Sequence, residues 1–140
     1  DMIFVSQKWL EERFAASEAG NINLTPEEKQ VLLLEHEMIK TALENKDDFA
    51  LDGGVLYTNG KPVAMTLASR ISEKILDIHF EKCLAEAAAA GAYAAVNWCF
   101  ANSADSYEFL NREEDMGVEG LRKAKLSYHP QKLLEKFYSL

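Results

Sequence analysis

The order of periodic segments in this chain predicts a mixed β-sheet with helices on its faces, in the α+β or α/β class. Two observations carry that prediction. Apolar residues recur at helical spacing up to about residue 44 and then at a spacing of two from residue 51. Asn59-Gly60 sits between two such two-residue runs and is a strong hairpin signal, because both residues tolerate the positive φ of a type I′ turn. Together with the later segments these give the order α-α-β-β-β-α-β-α-β.

Taken in order, Ser6 to Ala19 carries Trp9, Leu10 and Phe14 among charges and stops at Gly20-Asn21, as a helix should. The next helix starts at Thr25, with Pro26 at the first helical position and Glu28 completing a capping box. Its expected buried stripe is Val31, Leu34, Met38 and Ala42, flanked by Leu32, Ile39 and Leu43. The polar run from Glu44 to Asp48 ends it. Leu51 to Thr58 reads as a strand whose Gly53-Gly54 pair is expected to hold a bulge or admit a close neighbour. Pro62 to Ser69 returns as its partner and Lys74 to Glu81 is a third strand, so residues 51–81 form an antiparallel meander. Ala85 to Ala101 reads as a helix whose boundary near Gly91 the pattern does not fix. Tyr107 to Asn111 is a short strand, Gly117 to Tyr128 a helix and Lys132 to Tyr138 a closing strand.

The 140 residues suit one domain, with 48 % apolar and 27 % charged residues marking a folded chain. A core of this size needs no metal or disulfide staple. The net charge of −8 is unfavourable for gripping nucleic acid or anionic lipid through the bulk field. No apolar run is long enough for a bilayer span, and no charged-then-apolar leader is present. Cys83 and Cys99 lack CxxC spacing and read as structural thiols of a reduced, cytoplasmic chain, with no metal expected. The chain opens on Asp1 and runs straight into Met2-Ile3-Phe4-Val5, the look of the interior of a longer protein.

Three groups of residues can carry chemistry. Regular alternation along the third strand puts Asp77, His79 and Glu81 on one side and Leu76, Ile78 and Phe80 on the other. A cleft with a general base, His79 or Glu81, stands there against a solvated face with incidental charges. The second group, Asn111-Arg112-Glu113-Glu114-Asp115-Met116-Gly117, lies where a strand ends and a helix starts. Open sheets place ligands at such a point, yet helix capping and ion pairing explain the same residues. The expected arrangement is a knot of Arg112 with Glu113 and Asp115, with Asp115 capping the helix. The third group is Arg122, Lys123, Lys125, His129 and Lys132, which suits an anionic ligand or a solvated helix face. His36 reads as surface or satisfied core. GxxxxGK, GxSxG and HExxH are all absent.

The run NREEDMGVEGLRKAKLSYHP at 111–130, with DIHFEKC at 77–83 and EKFY at 135–138, resembles the C-terminal domain of bacterial phosphatidylglycerol lysyltransferases and a related soluble family of unknown function. The likeness spans roughly residues 50–138. It rests most on Arg112, Glu113, Asp115, Gly117, Gly120, Leu121, Arg122, Lys125 and Tyr128. That family implies an acyl-CoA N-acyltransferase-like (GNAT) fold, two copies of which usually lie in tandem. The chain would be the second copy, residues 1–24 would derive from the junction, and residues 2–5 would be a remnant of the first strand. The upstream copy would be a partner within the same protein. The resemblance further implies acyl or aminoacyl transfer, with acyl-CoA or charged tRNA as donor and a small molecule or lipid head group as acceptor. Glu81 or His79 would deprotonate the acceptor, Tyr128 would protonate the leaving group, and Asn111, Arg112, Glu113, Asp115, Arg122 and Lys125 would bind ligand. GNAT enzymes carry a Q/R-x-x-G-x-G/A turn after the central strand. Here Lys82-Cys83-Leu84-Ala85-Glu86 stands in that place, which predicts weak acetyl-CoA binding. A GNAT-like binding module without catalysis and a small-molecule N-acetyltransferase are the alternatives.

Overall fold

The computed structural model describes residues 1–135 and 137. Two long helices, α1 (Met2–Glu18) and α2 (Pro26–Glu44), precede strands β1 (Leu51–Thr58), β2 (Lys61–Arg70) and β3 (Ile75–Cys83). Two helices, α3 (Ala85–Ala89) and α4 (Ala92–Ser103), are followed by β4 (Phe109–Asn111) and α5 (Glu119–Leu126). The sheet order is β1-β2-β3-β4, antiparallel except for the β3–β4 pair. The meander and its turn at Asn59-Gly60 are as expected, with φ of 52° and 75° at the two turn residues. Residues 2–5 are the first turn of α1, not a strand remnant, and Val5 is fully buried. Gly91, at φ 89°, divides the expected helix into α3 and α4, because an L side chain there would be strained. Residues 132–135 form no strand, and Lys136 and Tyr138 of that expectation lie outside the described residues.

The core is split by the sheet. On one side α1 and α2 bring Val5 and Ile39 onto Met65, Leu67 and Phe80. On the other, Phe100 and Ala104 pack on Ala68, Leu76 and Ile78, and Ala92 and Val96 pack on Ala64 and Cys83.

The capping box at Thr25 is formed as the sequence predicts. The Thr25 N–H donates to Glu28 Oε2 at 2.8 Å and the Glu28 N–H to Thr25 Oγ1 at 3.1 Å. The buried stripe of α2 is the expected one only in part: Ile39 is fully buried, with Ala42 and Leu43 packed against the same cluster. The other expected members, Val31, Leu34 and Met38, are 61 %, 54 % and 61 % exposed, while His36 faces inward. Polar pairs accompany this rotation. His36 Nδ1 lies 2.9 Å from Ser6 Oγ in α1, and Glu35 accepts from buried Lys82 Nζ at 2.8 Å. With apolar residues on several sides of α2, these pairings satisfy the polar groups that the observed rotation turns inward.

β3 is not regular. Leu67 pairs with Phe80 and Ala68 with Ile78, so His79 is an extra residue, a β-bulge. Beyond it the alternation reverses. Leu76 and Ile78 face α4, but Phe80 packs with the α1 and α2 cluster, and Glu81 accepts from Asn97 Nδ2 of α4 at 2.9 Å. Asp77, His79 and Glu81 therefore do not share one face.

Candidate functional site

β3 and β4 pair over three residues only, Ile75 to Asp77 with Phe109 to Asn111. Past that point β3 continues to Cys83 paired with β2 only, while the chain at Arg112 leaves the sheet. The segment after Asn111 follows the free edge of β3, and its side chains reach both faces. The divergence lies at the carboxyl ends of the parallel pair, where open sheets bind ligands.

On the α4 face, Arg112 Nη2 donates to Glu81 Oε2, and both side chains are mostly buried. Asn97 holds the other Glu81 oxygen. The Arg112 guanidinium stacks on the Tyr128 ring with its carbon 4.4 Å from the centroid. Its Nε and Nη1 are buried without a hydrogen-bond partner. Tyr128 thus sits with Glu81 and Arg112 rather than with His79.

On the opposite face, His79 Nδ1 is 2.9 Å from Glu113 Oε1 and 3.8 Å from Asp77 Oδ2. Its Nε2 is 2.7 Å from Ser69 Oγ on β2. Asn111 Nδ2 donates to Asp77 Oδ1 at 2.7 Å. Glu113 reaches the ring from a backbone with φ of 53°, an uncommon conformation for a residue with a side chain. Ligand atoms of Asp77, His79 and Glu113 lie within 4.8 Å of one another, the arrangement among the described residues best suited to a metal ion.

The expected knot is not formed. Arg112 pairs with Glu81, across the edge of β3, and Glu113 turns to His79. Asp115 pairs instead with Arg122, at 2.5 and 3.1 Å, and accepts from the Gly117 N–H at 2.8 Å. The Arg122 guanidinium holds the Asp115 carboxyl below its ordinary value, and Asp115 raises Arg122 in return. The helix begins later than Gly117, at Glu119, with Val118 in the capping position. Lys125 Nζ donates to the carbonyls of Arg112 and of Glu114, the latter at 2.7 Å, and so ties down the 112–115 segment. Burial, then the nearby Arg112 charge, lowers the Lys125 ammonium.

Sequence reasoning missed Ser69 and Asn97. Asn97 had a signal, an amide inside the apolar run from Ala92 to Ala101. Ser69 had none, because its partner is set by the bulge. Cys83 is buried and its thiol is pushed up to about 12 by burial, then by Glu81, as an inert structural thiol should be.

Burial, then the like charge of Glu113, raises the Asp77 carboxyl. The native carboxyl therefore keeps its proton to higher pH than the unfolded one. Stability from this group is complete at low pH and is lost as pH rises from the ordinary Asp value through the raised one. Asp77→Asn, which can still accept from Asn111, is expected to raise Tm at pH 7, with a gain that fades as pH falls to about 4. Melting curves of both proteins across that range check it; a lower Tm for the variant at pH 7 would contradict it.

The chain matches the family of the phosphatidylglycerol lysyltransferase C-terminal domain over residues 1–139. It belongs to that family. The chain is similar to a crystal structure of a conserved protein of unknown function from Bacteroides thetaiotaomicron. Identity is 36 %, the TM-score is 0.67, and the likeness covers 95 % of this chain but 43 % of that one. The chain thus spans less than half of that relative's length. A possible acetyltransferase from Clostridium difficile is similar in fold at a TM-score of 0.61 and 15 % identity, over 100 % of this chain and 93 % of that one. No curated protein matches. The family domain is the C-terminal part of a larger protein. No helix among the described residues is long and apolar enough to cross a membrane.

Proposed function

We propose that this transferase-like domain carries out acyl or aminoacyl transfer, with the donor carbonyl bound where β3 and β4 diverge and His79 as the base. The observation that supports this most is the placing of the His79 ring, with Nδ1 2.9 Å from Glu113 Oε1. An ionised carboxylate only accepts hydrogen bonds, so a neutral ring facing Glu113 carries its proton on Nδ1 and leaves Nε2, 2.7 Å from Ser69 Oγ, as the acceptor. A ring so oriented can take a proton from a hydroxyl or amine at Nε2, with the Asp77 carboxylate 3.8 Å from Nδ1. Glu81, with both oxygens engaged by Arg112 and Asn97, serves instead to hold Arg112. Arg112, whose Nε and Nη1 are buried without a partner beside the Tyr128 ring, would meet an anionic ligand at this edge only once that ring moves aside. Arg122 and Lys125 position the 112–115 segment. The domain would work beside an upstream half of the same protein.

A second reading, a binding module without catalysis, is favoured by one contact. The Ala85 N–H, at the start of α3 just after the central strand, donates to Glu12 Oε2 of α1 at 2.7 Å. A carboxylate thus stands where GNAT enzymes place a pyrophosphate. Calorimetry with acetyl-CoA is accordingly expected to show no micromolar binding; a Kd of about 1 μM, or about −8 kcal/mol, would contradict it. The transfer reading is tested by discharge of labelled aminoacyl-tRNA. Release of the aminoacyl group above the blank, abolished by His79→Gln, is expected. A rate equal to the blank, both for this chain and for a longer protein that contains it, would leave the binding module.

A further inference from the structure

Ser69, His79 and Glu113 stand in the order of a nucleophilic triad. We infer that the Ser69 hydroxyl is itself the first acceptor, forming an acyl-Ser69 intermediate with an ester-activated acyl or aminoacyl donor. The donor class rests on the transfer reading above; the nucleophile rests on geometry alone.

Three segments meet here. Ser69 is near the end of β2, His79 is the bulged residue of β3, and Glu113 follows β4. The contacts fall on the atoms the chemistry needs: Ser69 Oγ on Nε2 at 2.7 Å and Glu113 Oε1 on Nδ1 at 2.9 Å. With the Nδ1 proton held by Glu113, the Ser69 O–H donates to Nε2, so the ring is set to receive that proton. The bulge makes this possible. A regular strand would place residue 79 opposite a residue of β2 rather than at the register slip between Leu67 and Ala68. Ser69 and His79 are only half-buried, so a donor can reach them.

The second serine–histidine pair of the molecule shows what a structural pair looks like. Ser6 and His36 are 2.9 Å apart, but Ser6 meets Nδ1, and both residues are closed off from solvent at 2 % and 8 % exposure.

The steps balance. Ser69 Oγ attacks the donor carbonyl carbon as its proton passes to His79 Nε2. The carbon–oxygen bond to the donor alcohol breaks, and the leaving oxygen takes that proton. An acceptor amine or water then attacks the acyl ester, gives its proton to Nε2, and the returning Ser69 oxygen recovers it.

A fluorophosphonate probe tests the inference, because its phosphorus takes the place of the carbonyl carbon and fluoride leaves. The chain is treated with the probe in EDTA, which keeps any cation off His79, and the adduct is located by peptide mapping. The adduct is expected on Ser69, at least roughly 100-fold faster than on Ser6, with a loss of similar size in His79→Gln and a smaller one in Glu113→Gln. Mapping on the unaltered chain does not depend on any variant folding, and melting curves check the variants. No adduct, an adduct on another serine, or a Ser69 rate unchanged in His79→Gln would overturn the inference. Aminoacyl-tRNA discharge that persists in Ser69→Ala would overturn it too, while leaving the transfer reading standing. An adduct on Ser69 without discharge of the donor would uphold the nucleophile and defeat the transfer reading.

Discussion

Gly53→Ala is expected to be the most damaging small substitution in the sheet. A Cβ at position 53 would lie 2.5 Å from the Thr66 carbonyl oxygen and 2.8 Å from the Met2 methyl. The methyl can swing away, but Thr66 is backbone in β2, which is paired on both sides by β1 and β3. The sheet must part, at a cost of about 2–3 kcal/mol, and Tm should fall on the order of 10 °C. Gly54→Ala is the control. Its Cβ would meet Phe100 and Thr66 side-chain atoms at 3.6 Å, ordinary contact, and the change should be neutral or mildly stabilising. Thermal melts of the two variants compare them; equal losses would show that the close approach at Gly53 is not what excludes a side chain.

The second large effect is at Arg112. Removing the guanidinium in Arg112→Ala leaves Glu81 mostly buried without its cation and uncovers the Tyr128 ring. Loss of one partner from such a pair costs about 3 kcal/mol. Arg112→Lys should cost about half as much, since an ammonium keeps the charge but neither stacks as a plane nor holds its shape against Glu81. In a double-mutant cycle Glu81→Gln should couple strongly to Arg112→Ala, and Glu113→Gln should not. Coupling of Arg112 to Glu113 instead would restore the arrangement that the sequence suggested.

Much of the fold was legible because it is written in local signals. The capping box at Thr25, the Asn59-Gly60 turn and the change of period at residue 51 each depend on neighbours in the chain. The rotation of α2 was not legible, because Glu35 and His36 pair with Lys82 and Ser6, which lie far off in sequence. The site was half legible. Alternation named Asp77, His79 and Glu81, and the charge cluster named Arg112 and Glu113, but the pairing between them depends on one inserted residue in β3. Strand periodicity carries no sign of a bulge whose position is set by pairing with β2. With the phase reversed at His79, Glu81 goes to Arg112 and His79 to Glu113, and Ser69 enters the site unannounced.

The division of the site between two faces of β3 is the claim on which the rest depends, and nuclear Overhauser contacts of the Phe80 ring test it most directly. The account predicts contacts from Phe80 to the methyl groups of Val5 and Ile39, with Leu76 and Ile78 reporting on Phe100. Contacts from Phe80 to Phe100 and Ala104 would mean a regular strand, with His79 and Glu81 side by side, and would contradict it.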